Sequence, residues 1–421
     1  MDSDRPVELA TPKGLPPEPA LKPGEGAPAG WELFSAGVHW PLAVIIEPIV
    51  RRNSATMAAY CRKHDVSLAP HGKTTMAPEL FRLQFEDGAW AITAATVWQA
   101  RVMKAAGVPR VLLANEVVTE AEIAWLAAVL ADPDFEICCY VDSLEGVGLL
   151  DRGLARANTP RSLPVLVELG VQGGRTGVRT VEEGLLVAAA ARDAANLTVL
   201  GTSAFEGIIT AGDGRTADEG VKELLTELHR LTLEIDAIGG FDETDEVVVS
   251  AGGSAFFDHV VAAFEQIDLH RPIRRVIRSG NYLTHADGGY DLSSPMGSNP
   301  RVAEEEGRLE AAMEVWGAVL SRPEPTRVIV GVGKRDVSPD GSPPLVRGIR
   351  EPDGTPKNAE AVTVALNDQH AYLDVPAGGP IAVGDLVALG VRHGCTTFDK
   401  WRAIPMVDQD YRVLRVIRTY F

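Results

Sequence analysis

Short apolar segments alternate with longer amphipathic segments from about residue 41 to residue 280. Eight of the short segments are largely aliphatic, and most are followed within a residue or two by Gly, Asn, Asp, Thr or Ser, a pattern that predicts β-strands. The predicted strands are Val66–His71, Trp90–Ala94, Arg110–Ala114, Phe135–Val141, Pro164–Leu169, Leu197–Ala204, Glu246–Ser250 and Arg274–Arg278.

The segments between these strands carry apolar residues three and four positions apart, the period of an amphipathic helix. Eight strands that alternate with helices predict an α/β protein with a (β/α)8 TIM-type barrel, whereas a doubly wound open sheet of this size usually has fewer strands. The predicted helices are Ile45–His64, Pro78–Glu86, Val97–Ala106, Glu120–Leu130, Ser143–Ala157, Val181–Ala194, Asp218–Ile235 and Phe256–Gln266.

The pattern changes on both sides of this region. Beyond about residue 295 the helical period gives way to short alternating segments separated by Pro, Gly and Asp, which predicts a C-terminal all-β domain. The first 30 residues contain seven prolines among Gly, Ala and Glu, a composition that favours an extended arm. We therefore expect a Pro-rich arm (1–35), a barrel (36–295) and a β domain (296–421). The predicted β segments are Glu314–Ser321, Arg327–Val332, Ala361–Leu366, His370–Val375, Asp385–Leu389 and Asp410–Ile417.

The charge and cysteine content exclude several classes of protein. The chain has 40 Lys and Arg against 58 Asp and Glu, a net charge of −18, which argues against a nucleic-acid or anionic-membrane binder. No apolar run approaches the roughly 20 residues of a membrane span, and the N-terminus lacks the pattern of a signal peptide. Four cysteines in 421 residues predict no disulfide framework. We expect a cytoplasmic protein whose partners are small ligands or other proteins.

Three stretches at predicted strand ends carry candidate chemistry. Lys73, in Pro70-His71-Gly72-Lys73-Thr74-Thr75, follows the first barrel strand, where partial burial favours Schiff-base chemistry; the alternative is a solvated surface lysine. Glycine-rich segments follow strands seven and eight, the usual phosphate site of this barrel, although each segment by itself is also typical of a turn. These segments are Val249-Ser250-Ala251-Gly252-Gly253-Ser254 and Arg278-Ser279-Gly280-Asn281-Tyr282.

Two further candidates are an arginine and a His-x-Cys triplet. Arg175 follows strand five between glycines, where it either binds an anionic group at the barrel mouth or caps a turn. His393 and Cys395 lie two positions apart, and on an extended segment they would face the same way as a zinc-compatible pair with open coordination positions. A core histidine beside a buried cysteine is the alternative.

In this order, the segments resemble the fold-type III pyridoxal-phosphate (PLP) proteins, in particular the branch of D-serine dehydratase and D-threonine aldolase, which is related to alanine racemase through its barrel. The likeness runs from about Pro41 to Phe421. Its most specific parts are Pro70-His71-Gly72-Lys73-Thr74, which matches the cofactor-lysine motif, and His393-Gly394-Cys395-Thr396-Thr397, which matches the metal motif.

The resemblance implies a role for each candidate residue. Lys73 would carry the cofactor and act as the base, Arg175 would lie near the ring oxygen, and Arg278 would face the pyridine nitrogen. His393 and Cys395 would bind zinc or another divalent metal. The residues implied to form the phosphate cradle are Gly252, Gly253, Ser254, Gly280, Asn281 and Tyr282.

The resemblance also implies an activity. We expect a homodimeric, PLP- and zinc-dependent lyase that converts a D-3-hydroxy amino acid to a keto acid and ammonia by β-elimination. The aldolase branch tends to have an aspartate in place of Cys395, which favours dehydration. Retro-aldol cleavage of a D-3-hydroxy amino acid, amino-acid racemisation and a non-catalytic PLP carrier are the alternatives.

The sequence departs from the pattern in two places. Gly72 and Thr75-Met76 replace the residues most common beside the lysine, and Ala204-Phe205-Glu206-Gly207 lacks the tyrosine or histidine often found after strand six. The identity of the substrate is therefore left open, with a bulkier or an acidic hydroxy amino acid as possibilities.

Overall fold

The barrel is closed by backbone hydrogen bonds between its own first strand, near Leu68, and its own second strand, near Trp90. In the computed structural model, which describes residues 12–15, 31–34, 37–212 and 214–421, β2 to β9 form one parallel sheet in the order β2-β9-β8-β7-β6-β5-β4-β3. The N–H of Trp90 donates to the Leu68 carbonyl and that of Thr93 to the Pro70 carbonyl, both at 2.8 Å. The strands of the first part of the chain are β1 (Leu42–Ile46), β2 (Ser67–Leu68), β3 (Ile92–Ala94), β4 (Arg110–Glu116), β5 (Glu136–Val141), β6 (Leu163–Leu169), β7 (Leu197–Ala204), β8 (Val247–Ala251) and β9 (Ile273–Ile277).

Helices follow the barrel strands and cover the outside of the sheet, so the predicted (β/α)8 barrel is confirmed and the open sheet is excluded. Local sequence fixes several helix starts: Thr180 and Thr216 each form a capping box with a glutamate three residues later. The helices are α1 (Glu47–Lys63), α2 (Pro78–Glu86), α3 (Val97–Ala105), α4 (Glu120–Val129), α5 (Leu144–Ala157), α6 (Val181–Asp193), α7 (Ala217–Ala237), α8 (Phe257–Phe264), α9 (Gly289–Ser293) and α10 (Cys395–Phe398), with 3-10 turns at Gly72–Thr74, Glu206–Ile208 and Glu304–Glu306.

The C-terminal part is an all-β domain, as predicted. Two of its strands, β12 and β16, are not expected from the sequence, because β12 (Val-Arg-Gly-Ile-Arg) has little apolar character and β16 contains Pro405. The strands are β10 (Met313–Glu324), β11 (Arg327–Val330), β12 (Val346–Arg350), β13 (Val362–Leu366), β14 (Ala371–Asp374), β15 (Leu386–Gly390), β16 (Ala403–Val407) and β17 (Val413–Arg418).

The prediction of a helix from Ile45 is wrong at its start. Ile45 and Ile46 belong to β1, which pairs antiparallel with β10 and parallel with β16. The run Leu-Ala-Val-Ile-Ile is fully aliphatic and rich in β-branched residues, so it fits a buried strand, and the helix begins only at Glu47 with a proline in its first turn. The chain thus enters the C-terminal sheet before it forms the barrel, while the domain boundaries themselves stay a prediction.

The core is continuous from the barrel helices into the β domain. A second, smaller cluster fills the inside of the barrel and includes Cys138 and Tyr140. All four cysteines are free, and Cys61, Cys138 and Cys139 are buried packing residues. Most of the predicted arm lies outside the described residues. In the part of the chain that the structure describes, no helix is long and apolar enough to span a membrane.

Candidate active site

A cavity of about 400 Å³ lies at the carboxyl ends of the barrel strands, where active sites of this fold occur. Its wall is formed by loops of the barrel and by the segment of the β domain that carries the His-x-Cys triplet. Seven of the titratable and polar residues that line it are candidates predicted from the sequence: Lys73, Arg175, Ser254, Arg278, Asn281, His393 and Cys395. His71, Glu168 and Tyr290 also line it.

Lys73 lies in the 3-10 turn that follows β2, and its half-buried side chain lines the cavity. The turn packs closely against the loop after β9. A Cβ atom at Gly280 would lie 2.7 Å from the Cβ of His71 and 3.1 Å from the Thr74 hydroxyl oxygen. Only glycine fits at this position without a shift, so Gly280 brings the two loops together around Lys73.

His71 is a neutral imidazole on the cavity wall. Burial lowers its pKa well below the ordinary value, and the positive charges of Lys73, Arg278 and Arg175 lower it further. Its Nδ1 atom is buried and has no hydrogen-bond partner among the described residues. The ring therefore presents one unpaired nitrogen next to three cationic side chains.

Arg278 is buried and lines the cavity, and its Nε atom is unpaired among the described residues. Its Nη1 atom donates to Ser203 Oγ at 3.1 Å and to Ser250 Oγ at 2.5 Å, and Nη2 donates to the Ala204 carbonyl at 2.7 Å. These bonds fix the guanidinium between β7 and β8. The Nε atom has no partner among the described residues, which is costly for a buried cation and typical of a ligand contact.

The glycine loop after β8, predicted to bind the cofactor phosphate, has two of its backbone N–H groups bound to a side chain instead. The N–H groups of Gly252 and Gly253 donate to the carboxylate of Glu206, so they are not free to bind a phosphate in this arrangement. Ser254, by contrast, lines the cavity, and Asn281 beside it is buried with neither amide atom bonded within the described part of the chain.

Tyr282 is placed away from the cavity. Its side chain is buried against α2, where its hydroxyl accepts a hydrogen bond from Gln84 Nε2 at 3.2 Å. The structure therefore gives this side chain no contact with the candidate site.

Arg175 lies on an exposed loop at the rim of the cavity, with its guanidinium carbon 4.7 Å from the centre of the Phe205 ring. The side chain of Arg179 holds this loop by donating to the carbonyls of Arg175 and Gly177, both at 2.5 Å. The cation–π contact with Phe205 and the hydrogen bonds from Arg179 together hold Arg175 at the rim of the cavity.

A pair of carboxyl groups lies near the floor of the cavity. Burial and the negative charges of Glu168 and Asp142 raise the pKa of Glu116 to about 8. Both carboxyl oxygens of Glu116 and one of Glu168 are buried without a hydrogen-bond partner among the described residues, apart from the contact between the two carboxyl groups. Glu116 is thus largely protonated at neutral pH, which removes one negative charge from the site.

His393 and Cys395 meet in the cavity, but not on a strand as predicted. Cys395 is the first residue of α10, and Gly394 before it has helical backbone angles. The hydrogen bond with Cys395 raises the pKa of His393 against the effect of burial. Burial raises the pKa of Cys395, yet hydrogen bonds from His393 and Thr74 and nearby positive charges bring it below its ordinary value. Each side chain thus shifts the pKa of the other, upward for His393 and downward for Cys395.

Asp340 orients His393 from the other side, with its Oδ2 atom 2.6 Å from His393 Nδ1. A carboxylate on one ring nitrogen is the usual support of a metal-binding histidine, because it leaves the other nitrogen for the metal. Within the described ranges no group of three or more His, Cys, Asp or Glu side chains is placed to hold a metal ion. The pair with its Asp340 support fits a metal that keeps open positions.

Several residues of the site are not among the sequence candidates. His71, Glu168 and Thr74 follow or end predicted strands, so their position at the carboxyl end was the available signal. Tyr290 lies in the short helix α9 and Asp340 in an irregular segment, and no local sequence pattern points to either residue.

Comparisons with known proteins find similarity to serine dehydratases and D-threonine aldolases. A family model described as "Putative serine dehydratase domain" matches residues 312–407, the part of the chain that contains the His-x-Cys triplet. D-threonine aldolase from Arthrobacter sp. is 27% identical over 92% of this chain and 92% of its own length. The structure of D-threonine aldolase from Filomicrobium marinum has a TM-score of 0.76 at 22% identity, covering 91% of this chain and 96% of that chain. D-threo-3-hydroxyaspartate dehydratase from Delftia sp. HT23 has a TM-score of 0.71 at 19% identity, covering 92% and 99%.

These similarities support a fold-type III PLP enzyme family for this chain. The sequence-based identification of the family is thereby confirmed. The prediction of a PLP-dependent lyase is confirmed at the level of the enzyme class, because the similar proteins are aldolases and dehydratases.

The residues around the cavity fit the cofactor of this family. PLP combines an aldehyde, a pyridine nitrogen and a phosphate. The cavity offers an amine at Lys73, an unpaired buried donor at Arg278 Nε and unpaired buried amide atoms at Asn281.

Proposed function

We propose that this fold-type III enzyme is a PLP-dependent lyase of D-3-hydroxy amino acids that uses a divalent metal on His393 and Cys395 to eliminate water from its substrate. One observation carries the proposal: Lys73, Arg278 and the His393–Cys395 pair line one cavity of about 400 Å³. An amine, a buried arginine donor and a metal-compatible pair serve α-proton removal followed by loss of a β-hydroxyl.

Lys73 and Arg278 have separate tasks in this account. PLP supplies, when bound, an electron-withdrawing ring that stabilises negative charge at Cα. Lys73 binds the cofactor covalently at rest and takes the Cα proton on its Nζ atom during turnover. Arg278 Nε, which has no hydrogen-bond partner among the described residues, would donate to the pyridine nitrogen of the cofactor.

The His393–Cys395 pair acts on the β-substituent. A zinc ion supplies, when bound, a Lewis acid that assists the departure of a hydroxyl group. Cys395 provides a thiolate, which is the ligand form of the residue, because its pKa is lowered. Asp340 keeps His393 in the ring orientation that leaves Nε2 for the metal.

Elimination is our first choice of reaction for a local reason. The serine dehydratase model covers residues 312–407, which include His393 and Cys395, the two residues that we assign to the β-hydroxyl group. Elimination yields a keto acid and ammonia after hydrolysis.

Retro-aldol cleavage is the second candidate. It is favoured by the 27% identity to D-threonine aldolase over 92% of the chain. In that reaction the hydroxyl proton is removed, the Cα–Cβ bond breaks, and glycine and an aldehyde are released. The homodimer and the cytoplasmic location implied by the sequence resemblance stay predictions.

One assay separates these candidates. The PLP- and zinc-loaded protein is incubated with D-serine, D-threonine and D-3-hydroxyaspartate, and keto acid, ammonia, glycine and aldehyde are measured in the same samples. Keto acid with equal ammonia supports elimination, and glycine with aldehyde supports cleavage instead. Racemised substrate alone, or no turnover of any substrate, would contradict the lyase proposal.

A further inference from the structure

Glu206 is a fully buried carboxylate that binds the loop between β8 and α8. It begins the 3-10 turn after β7, and none of its surface is exposed. Its Oε2 atom accepts a hydrogen bond from the N–H of Gly252 at 3.0 Å, and its Oε1 atom accepts one from the N–H of Gly253 at 2.6 Å. Two successive amides of the glycine loop thus converge on one side chain from the neighbouring strand.

The other edge of the same loop is also fixed. The carbonyl of Gly252 accepts a hydrogen bond from the N–H of Arg278 at 3.2 Å, and the carbonyl of Gly253 accepts one from Ser279 Oγ at 2.9 Å. Gly252 has a φ of +101°, a conformation that favours glycine. The two peptide groups are therefore held between β7 and β9, and their orientation decides how the chain continues into Ser254 and Ala255 at the cavity wall.

This arrangement divides the loop into a bound part and a free part. Amides at the start of a helix bind anions well, since several N–H groups point the same way. The amides of Gly252 and Gly253 are occupied by Glu206, so the anion-binding capacity on the cavity side rests on Ser254, on the residues that lead into α8 and on the amide of Asn281.

We propose that Glu206 is a positioning residue for the cofactor phosphate: it does not touch the cofactor, but it orients the loop of residues 252–255 so that the remaining donors face the phosphate. The inference rests on the proposed function, because it takes PLP as the ligand of the cavity. Substitution of Glu206 by glutamine tests the proposal. A Glu206→Gln side chain has nearly the same size but only one acceptor oxygen, and its NH₂ group would face an amide N–H that also needs an acceptor.

The test compares two ligands that differ only in the phosphate. PLP and pyridoxal are titrated into the full-length protein, and dissociation constants are obtained from the visible absorbance of the bound form. The ratio of the pyridoxal constant to the PLP constant measures the contribution of the phosphate. We expect Glu206→Gln to lower this ratio roughly 10- to 100-fold, the size expected for an unsatisfied buried donor, with pyridoxal affinity nearly unchanged.

A matched control is available on the opposite side of the cavity. Asp142 Oδ2 accepts a hydrogen bond from the N–H of Gly177 at 3.0 Å, a carboxylate–glycine contact in the loop of Arg175. Asp142→Asn is expected to leave the ratio of the two constants at the wild-type value. Glu206→Asp, which keeps both oxygens but is one methylene shorter, is expected to lower the ratio by less than Glu206→Gln and carries the test if the glutamine variant does not fold.

The outcomes are distinct. A selective loss of PLP affinity in the Glu206 variants supports the proposal. An equal loss for both ligands, or no loss for either, overturns it and leaves the proposed function standing. If the wild-type protein binds neither ligand, the cofactor assignment under the proposed function fails first, and this inference fails with it.

Discussion

The Sγ atom of Cys395 lies 3.2 Å from the hydroxyl oxygen of Thr74, the residue that directly follows Lys73. Cys395 belongs to the β domain and Thr74 to the barrel, so this contact joins the metal-compatible pair to the turn of the candidate cofactor lysine within one chain. The contact also lowers the pKa of the Cys395 thiol.

We expect Thr74→Val to weaken metal binding, because it removes a hydrogen bond to the thiolate without changing the size of the side chain. The zinc dissociation constant, measured by competition with a chelator, should rise about 3- to 10-fold. The variant Thr74→Ser keeps the hydroxyl and serves as the control. Equal zinc affinity in all three proteins would contradict a role for this contact.

Asp340→Asn is expected to reduce zinc affinity and activity together, by about 10- to 100-fold, since the carboxylate supports His393 through Nδ1. Added zinc should restore part of the activity at saturation. Asp399→Asn is the control, because Asp399 is exposed and its side chain pairs with Lys400 alone among the described residues. A loss of activity that zinc does not relieve would point to a structural role for Asp340 instead.

Removal of the metal is expected to stop turnover but to leave cofactor binding intact. Dialysis against a strong chelator should lower kcat at least 100-fold for every D-3-hydroxy amino acid that the enzyme converts, while the visible band of bound PLP is retained. Zinc should restore the rate in the wild type and not in Cys395→Ala. Full activity after complete chelation would exclude the metal-assisted step and favour racemisation.

Glu116 gives a prediction for the pH dependence of stability. Its folded pKa of about 8 lies above the ordinary value of 4.5, so the folded state favours the protonated form. Below about pH 4.5 the carboxyl group is protonated in both the folded and the unfolded state, so it does not change the free energy of unfolding. That free energy decreases as the pH rises from 4.5 through 8. Glu116→Gln removes this cost, which we put on the order of 1 kcal/mol at pH 8 after allowance for solvent screening.

The measurement is the melting temperature of the variant minus that of the wild type. It should be near zero at pH 4.5 and increase to about 1–3 °C at pH 8. A difference that is constant with pH, or one that decreases, would contradict the assignment of a protonated Glu116.

The sequence was sufficient for the barrel because each strand is a short aliphatic run bounded by turn residues, and Leu197–Ala204 and Pro78–Glu86 even have the predicted ends. It failed at Ile45 and Ile46, where an aliphatic run beside a helix pairs with strands more than 260 residues away. The aliphatic, β-branched run is itself a local signal for a strand, but nothing local shows which distant strands it pairs with.

The candidate site, like the fold, could be predicted from the sequence only in part. The position of Lys73 follows from its place after a strand, and His393 and Cys395 follow from their spacing, although their local backbone is helical and not extended. The partners that tune these groups are tertiary: Asp340 on His393, Thr74 on Cys395, and Glu206 on the glycine loop. Each of these partners lies far along the sequence from the group that it contacts, so a local motif cannot predict it.

The most direct test of the account is to locate the cofactor on the chain. The PLP-loaded protein is reduced with borohydride and digested, and the modified peptide is identified by mass spectrometry. The account predicts one modified residue, Lys73, and loss of both the visible band and the modification in Lys73→Ala. A modified residue other than Lys73, or a Lys73→Ala protein that keeps the band and is still modified, would contradict it.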